Sequence, residues 1–109
     1  MVKSRFEIKE ILEKYKSELR KDQIRVTKML LYGSYARGTP RSYSDIDVVV
    51  ISPDLKKFSL LKRQEYLAIK TMGLDAPLEV IGYTPQEFKK ASKSAFGEIL
   101  RKTGKLVKK

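Results

Sequence analysis

The stretch Asp45–Ile51, DIDVVVI, limits the fold more than any other part of this sequence. Its last four residues, VVVI, are all β-branched, which is typical of a strand covered on both faces. The tripeptide SPD at Ser52–Asp54 then ends the strand. A strand of this kind needs helices above and below it. The chain is therefore expected to be a small α/β (α+β) domain, with helices packed on a mixed sheet.

The other elements follow from apolar periodicity and from turn and capping residues. In the first half of the chain they are a helix over Ser4–Arg20 with a capping box at Ser4 and Glu7, a strand over Arg25–Tyr32, a short helix that begins within Ser34–Arg37, and a loop over Gly38–Ser44. After the buried strand come a helix over Lys57–Met72 capped by Gly73 and a strand over Pro77–Tyr83. A helix capped by Thr84, with Pro85 as its first residue, follows, and the last helical segment covers Ala95–Lys109 and is interrupted at Gly104. The sequence thus predicts one domain over residues 1–109, with at least three strands.

Composition removes several classes of chemistry. The chain has no Cys and no His, which excludes disulfides, Cys-ligated zinc and His-based catalysis. A metal would have to be a hard cation held by oxygens, with Mg²⁺ the first choice. The net charge of +11 fits either a solvated basic surface or an anionic partner. The sequence shows neither a membrane-spanning segment nor a signal peptide, so we expect a cytoplasmic protein.

Two aspartates open the buried strand. Because side chains alternate along a strand, Asp45 and Asp47 should share one face, about 7 Å apart. Two carboxylates so placed repel each other, and holding them at the edge of a core is costly without a positive charge between them. A divalent cation meets that need. Magnesium bound with a nucleotide takes one or two protein carboxylates together with phosphate oxygens and water.

The pair Gly33-Ser34 supplies a phosphate-binding counterpart. It follows an apolar strand and precedes a short helix, so a phosphate could approach the Gly33 backbone and the Ser34 hydroxyl. Arg37 and Arg41 could reach further phosphate charge, although a loop arginine is more often simply solvated. Alone, an Asp-x-Asp at a strand start is usually solvated, and a Gly-Ser is a turn. Together, in this order, they are far more specific.

The stretch resembles the signature of the DNA polymerase beta-like nucleotidyltransferase superfamily, which is Gly-Ser, ten intervening residues and Asp-x-Asp. Here it reads Gly33-Ser34, Tyr35 to Ser44, and Asp45-Ile46-Asp47. The segments GSYARG, SDIDVVV, LEVIGYTPQEF and AFGEILRKTGKLV are similar to those of the minimal nucleotidyltransferases, which are stand-alone domains of about this length. The resemblance covers nearly the whole chain.

This resemblance implies an activity, a cofactor and a partner. The catalytic and metal-binding residues would be Asp45, Asp47 and Glu79, which together would hold two Mg²⁺ ions. Glu79 matches the third-strand acid of the family, which is usually Asp. Gly33, Ser34 and Arg37 would bind the nucleotide. Relatives pair as antitoxins with HEPN-domain toxins and transfer AMP from ATP to a toxin tyrosine. The expected function is that transfer, and a homo- or hetero-oligomer would fit it.

Two other functions stay open. The first is a protein of this fold with weak or lost catalysis that neutralises a partner by binding alone, and the Glu79 departure keeps this interpretation open. The second is a basic nucleic-acid-binding domain with Tyr35 and Tyr43 stacking on bases. It ranks last because it leaves the acids unexplained. The simpler interpretation of Glu79 is a solvated residue on an exposed strand. Tyr32, Tyr66 and Tyr83 are expected at the core or its edge, and Asp75 is less suited than Glu79 as the third acid.

Overall fold

A computed structural model describes residues 3–38, 40, 45–74 and 76–106 of the chain. It shows a mixed sheet of four strands in the order β3-β2-β1-β4, in which β2 runs parallel to β3 and β1 runs antiparallel to β2 and β4. The elements are α1 (Arg5–Lys21), β1 (Lys28–Tyr32), α2 (Gly33–Arg37), β2 (Ile46–Ile51), a 3-10 turn (Pro53–Lys57), α3 (Leu60–Ile69), β3 (Leu78–Tyr83), α4 (Pro85–Ala91), α5 (Ala95–Thr103) and β4 (Lys105–Leu106). The predicted fold class is confirmed.

The central strand β2 is covered on both faces, as its β-branched run predicts. Val48 and Val50 face a core formed with α1 and α3, including Leu12 and Leu67. The alternate residue Val49 faces a second, smaller core with Leu100, Phe88 and other residues on the α4 and α5 side. Two layers of helices therefore enclose the sheet. At the start of β2, Ile46 is buried in the core, whereas Asp47 is only half-buried and the preceding Asp45 is exposed.

Two helices begin as the sequence predicts. Ser4 and Glu7 form a full capping box at the start of α1, and Thr84 and Glu87 form another at the start of α4, with Pro85 in the first position. In each box the cap hydroxyl accepts a bond from the third helical amide, and the Glu accepts one from the cap amide. These caps fix where the polar chain connections end and the packed helices start.

Other predicted boundaries are wrong by a few residues. The second long helix begins at Leu60 rather than Lys57, because Ser59 caps it. It ends at Ile69 with Lys70 as its cap, so Gly73, with φ +95°, belongs to a later turn. The first strand starts at Lys28 rather than Arg25. The loop predicted over Gly38–Ser44 lies mostly outside the described residues, together with Arg41, Tyr43 and Asp75.

The C-terminal segment departs most from the prediction. Instead of a helix over Ala95–Lys109, α5 ends at Thr103, and Gly104 caps it with extended backbone. The next two residues form β4 and pair with Leu30 and Leu31 of β1. Strand pairing beyond a glycine therefore replaces the last predicted helical turns. Residues 107–109 lie outside the described part of the chain.

The open edge of the sheet at β3 is covered by side chains of α3. The Gln64 amide donates to the Val80 carbonyl at 3.1 Å and accepts from the Gly82 amide at 3.3 Å. It thereby occupies backbone groups that a further strand would use. Within the described ranges, no helix combines the length and the apolar character that a membrane crossing requires.

Candidate active site

The candidate active site lies where three strands place polar residues side by side. Tyr32 at the end of β1 is paired with Asp47 near the start of β2, and Asp47 is paired with Glu79 near the start of β3. Paired residues of neighbouring strands point to the same face of the sheet. The register thus brings the Glu79 carboxylate beside that of Asp47. The sequence interpretation had placed these two acids on separate strands without knowing their pairing.

Gly33 leaves the space that the Asp47 carboxylate occupies. Its φ is +74°, in the left-handed region, and a Cβ atom built on it would fall onto Asp47 Oδ2. Gly33 is the first residue of α2 and directly follows β1. The close approach of this backbone to Asp47 explains why a glycine stands here. It also joins the two halves of the sequence signature in one place.

The carboxyl group of Asp47 titrates at an unusual pH. Its pKa is raised from 3.8 to about 6, chiefly because burial disfavours the charged form, and then because of its hydrogen bond with Glu79 and the negative charges of Glu79 and Asp45. Arg37 acts in the opposite direction. Without a cation, the carboxyl group of Asp47 therefore keeps its proton to a higher pH than an ordinary aspartate. A cation would remove the need for that proton.

The three acids suit a hard cation by their chemistry. Carboxylate oxygens are the donors that Mg²⁺ prefers, and the raised pKa of Asp47 beside Glu79 indicates that a positive charge between the two carboxyl groups is favourable. In the described part of the chain, no three Asp, Glu, His or Cys side chains are already gathered as a finished metal site. Asp45 precedes β2 and is exposed, so its side chain can turn toward the pair. Asp45, Asp47 and Glu79 are therefore suited to hold Mg²⁺.

The predicted nucleotide-binding residues surround this pair. Gly33 and Ser34 open α2, and Arg37 ends it, exposed and close enough to lower the pKa of Asp47. The backbone after Arg37 turns at Gly38, which has φ +76°. The structure therefore brings Asp47, Glu79, Gly33 and Arg37 into one region, with Asp45 at its rim. Their roles in binding and catalysis remain predictions.

Tyr32 borders the site, which the sequence did not predict. Its ring packs edge-on against Phe96 at 5.4 Å, so its expected place at the core edge is correct. Its pKa is raised to about 12, first by burial and then by the charges of Asp47 and Glu79. The sequence signal that could have placed Tyr32 at the site is its position directly before Gly33, at the end of the strand that leads into the signature. Tyr32 therefore lies beside the carboxylate pair, opposite Asp47 in the neighbouring strand.

Comparison with known proteins identifies the family. The model of the nucleotidyltransferase domain family matches residues 8–103. The chain belongs to this family of enzymes. It is 45% identical over 69 residues to a Methanocaldococcus jannaschii protein named provisionally as a protein adenylyltransferase, a match that covers 61% of this chain and 77% of that protein.

Two solved structures share the fold of this nucleotidyltransferase. One is a Sulfolobus solfataricus protein described provisionally as a nucleotidyltransferase, with a TM-score of 0.58, 19% identity, and 92% of this chain and 75% of the other covered. The second is a toxin–antitoxin structure with AMP-PNP, with a TM-score of 0.53, 23% identity, and coverage of 88% and 71%. At these identities they show similarity of fold.

We expect the Gly33→Ala substitution to reveal how tightly α2 and Asp47 approach. The added methyl group would meet the Asp47 carboxylate, and alanine would also have to adopt a positive φ. Gly38→Ala is a matched control, because Gly38 has the same sign of φ with nothing within 4 Å of its Cβ position. Chemical denaturation should show a loss of about 1 kcal/mol for Gly38→Ala and about 3 kcal/mol for Gly33→Ala. Equal losses would mean that Asp47 moves aside freely.

Proposed function

We propose that this enzyme transfers AMP from ATP to a hydroxyl group of a protein, most specifically a tyrosine of a HEPN-domain toxin, and so acts as an antitoxin. The observation that carries the proposal is the in-register pair Asp47–Glu79 beside Gly33, in which the raised pKa of Asp47 marks a place for a cation. Support for a protein acceptor comes from the relative named as a protein adenylyltransferase. A toxin–antitoxin structure with AMP-PNP has the same fold.

The residues divide the work of this reaction. Asp45 and Asp47 would hold two Mg²⁺ ions, which neutralise charge on the triphosphate and align the reacting oxygens. Gly33 and Ser34 would hold phosphate oxygens through a backbone amide and a hydroxyl, and Arg37 would add a positive charge beside them. Nothing in this assignment needs a histidine, which agrees with the composition.

Glu79 would serve the acceptor. The hydroxyl oxygen of the acceptor attacks the α-phosphorus of ATP, the bond from that phosphorus to the bridging oxygen breaks, and pyrophosphate leaves. Glu79 takes the hydroxyl proton and later releases it to solvent. Its exposure at the start of β3 leaves it accessible to an incoming protein side chain. Because it is one methylene longer than the Asp that is usual in the family, Glu79→Asp is an informative variant.

Calorimetric titration of Mg·ATP tests the metal and nucleotide part of the proposal. We expect wild type to bind Mg·ATP, and binding to need the metal and to disappear in Asp45→Ala/Asp47→Ala, because that variant lacks the metal ligands. Incubation with α-labelled ATP and the HEPN-domain partner should then label the partner on tyrosine, and Tyr→Phe at the labelled position should remove the label. Mg·ATP binding by the wild type that does not need Asp45 and Asp47 would contradict the site assignment.

The same experiment separates the competing function. If the wild type and Asp47→Asn bind the partner equally well and neither transfers the label, the protein neutralises its partner by occlusion alone. The specific observation that favours this alternative is Glu79 in place of Asp. Salt-sensitive binding of single-stranded RNA without nucleotide or metal would instead favour the nucleic-acid function.

A further inference from the structure

A second charged region lies at the opposite end of the parallel strands from the carboxylates. A cavity of about 520 Å³ opens between the 3-10 turn and α4. Four lysines line it, together with Thr84, Gln86 and Glu87; the lysines are Lys56, Lys89, Lys90 and Lys93. Thr84 follows β3 five residues after Glu79, so the cavity is about 16 Å from the candidate active site.

The lysines of this cavity carry uncompensated charge. Within the part of the chain that the structure describes, none of the four has an ion-pair partner. The one carboxylate in the lining, Glu87, is already engaged, since Arg63 donates to both of its oxygens, at 2.5 and 3.3 Å. The amide of Thr84 donates to it as well. The charge of Glu87 is therefore neutralised by Arg63 and does not offset the charge of the lysines.

Four positive charges around one cavity repel each other and favour an anion between them, for the same reason that the paired acids favour a cation. The volume falls in the range of small-molecule sites. A chain of phosphates places several negative charges within a few ångströms, and lysine binds phosphate as a flexible point charge. Separate carboxylates of a protein segment would deliver less charge to the same volume.

We propose that this cavity binds a small ligand that carries a chain of phosphates, such as a nucleoside polyphosphate or inorganic polyphosphate. The site is separate from the carboxylate pair and does not require the metal. It also does not depend on the proposed function, because the lysines are on the 3-10 turn, on α4 and in the turn after α4, rather than on the strands that hold Asp47 and Glu79. The chain thus has one end suited to cations and another suited to anions.

The test uses inorganic tripolyphosphate as the probe, in EDTA and about 0.15 M salt, so that metal-dependent binding is absent and surface attraction is screened. We expect calorimetry to show binding to wild type and about a tenfold or greater loss in Lys56→Gln/Lys89→Gln/Lys93→Gln. The matched control is Lys9→Gln/Lys14→Gln/Lys16→Gln, which removes the same charge from α1 on the other face of the sheet. We expect less than a twofold loss there.

Amide chemical shifts locate the probe. Titration should move the amide signals of residues 53–57 and 84–93 and leave those of 33–37 unchanged. Arms with ATP and with inorganic polyphosphate, both without metal, distinguish the two sources of the ligand. The proposal is overturned if wild type does not bind tripolyphosphate, if the two triple variants lose affinity equally, or if the shifts map to 33–37. Binding of an acidic peptide or of single-stranded RNA in place of tripolyphosphate would also overturn it.

Discussion

Replacing Asp47 by asparagine is expected to stop nucleotidyl transfer and at the same time to make the metal-free protein more stable at pH 7.5. The loss of transfer, at least about a hundredfold, follows because Asn lacks the charge that holds a cation. The gain in stability follows because the ionised Asp47 lies beside Glu79 in a half-buried position. An Asn amide can instead donate a hydrogen bond to the Glu79 carboxylate.

The pH dependence gives the sign of this effect. The pKa of Asp47 rises from 3.8 to about 6 in the folded protein, so the folded state holds the proton more tightly and ionisation costs stability. The cost is absent below about pH 4, grows as pH rises, and is complete above about pH 6. Such a rise would amount to about 3 kcal/mol in a fully buried group. Solvent around the half-buried Asp47 reduces it to about 1 kcal/mol, or about 4 °C in melting temperature.

Asp54→Asn is the matched control for Asp47→Asn. Asp54 accepts hydrogen bonds from the backbone amide and the guanidinium of Arg25, at 2.8 and 3.2 Å, which lower its pKa. The same chemical change there should decrease stability at neutral pH rather than increase it. Melting curves at pH 5 and 7.5 with EDTA check both signs. A lower melting temperature for Asp47→Asn at pH 7.5 would show that the folded protein does not strain this carboxylate.

The sequence predicted the members of the site better than their arrangement. Gly33-Ser34 and Asp45-Ile46-Asp47 are local patterns, so they indicated the region of the candidate site, whereas the chemistry assigned to it stays a prediction. That Asp47 meets both Tyr32 and Glu79 depends on strand register, which comes from the packing of the whole sheet. Apolar periodicity reports which residues are buried and not which strands are neighbours. For that reason Tyr32 was expected at the core edge but not beside the carboxylates.

The helix boundaries show a similar limit. The capping box at Ser4 and the cap at Thr84 are local, and the sequence predicted both; that Thr84 and Glu87 also form a full box is a finding of the structure. The pairing of β4 with β1 joins residues more than 70 positions apart, and two residues after a glycine carry no strand signal of their own. Arg63 is another case, because a charged helix residue is ordinarily solvated. The sequence signal that Arg63 faces inward is its position four residues before the buried Leu67, on the same face of α3.

Removing the Glu87 charge is expected to destabilise the protein far more than removing the charge of an exposed ion pair. Arg63 is 3% exposed, donates to the Gly82 carbonyl, and has Glu87 as its ion-pair partner. Breaking such a pair from one side leaves a buried, uncompensated guanidinium, which costs several kcal/mol when both groups are fully buried. Because Glu87 is partly exposed, we expect Glu87→Gln to cost about 2–3 kcal/mol in chemical denaturation.

The choice of glutamine separates charge from capping. Gln can still accept the hydrogen bond from the Thr84 amide, so the cap of α4 is kept, whereas Thr84→Ala removes the other half of the box and should cost only about 1 kcal/mol. Glu18→Gln, in an exposed pair with Lys21, should change stability by no more than about 0.5 kcal/mol. In Arg63→Met/Glu87→Gln no buried charge is left alone, so the double variant should be more stable than Glu87→Gln.

The Arg63–Glu87 pair also gives a pH signature opposite to that of Asp47. Hydrogen bonds from Arg63 hold the pKa of Glu87 below its usual 4.5, so its stabilising effect is present above that pH and is lost as the pH falls through the folded value. Wild type and Glu87→Gln should therefore differ clearly at pH 7 and converge in acid. A difference that stays constant down to pH 3 would mean that the loss comes from packing around α4 and not from the charge on Glu87.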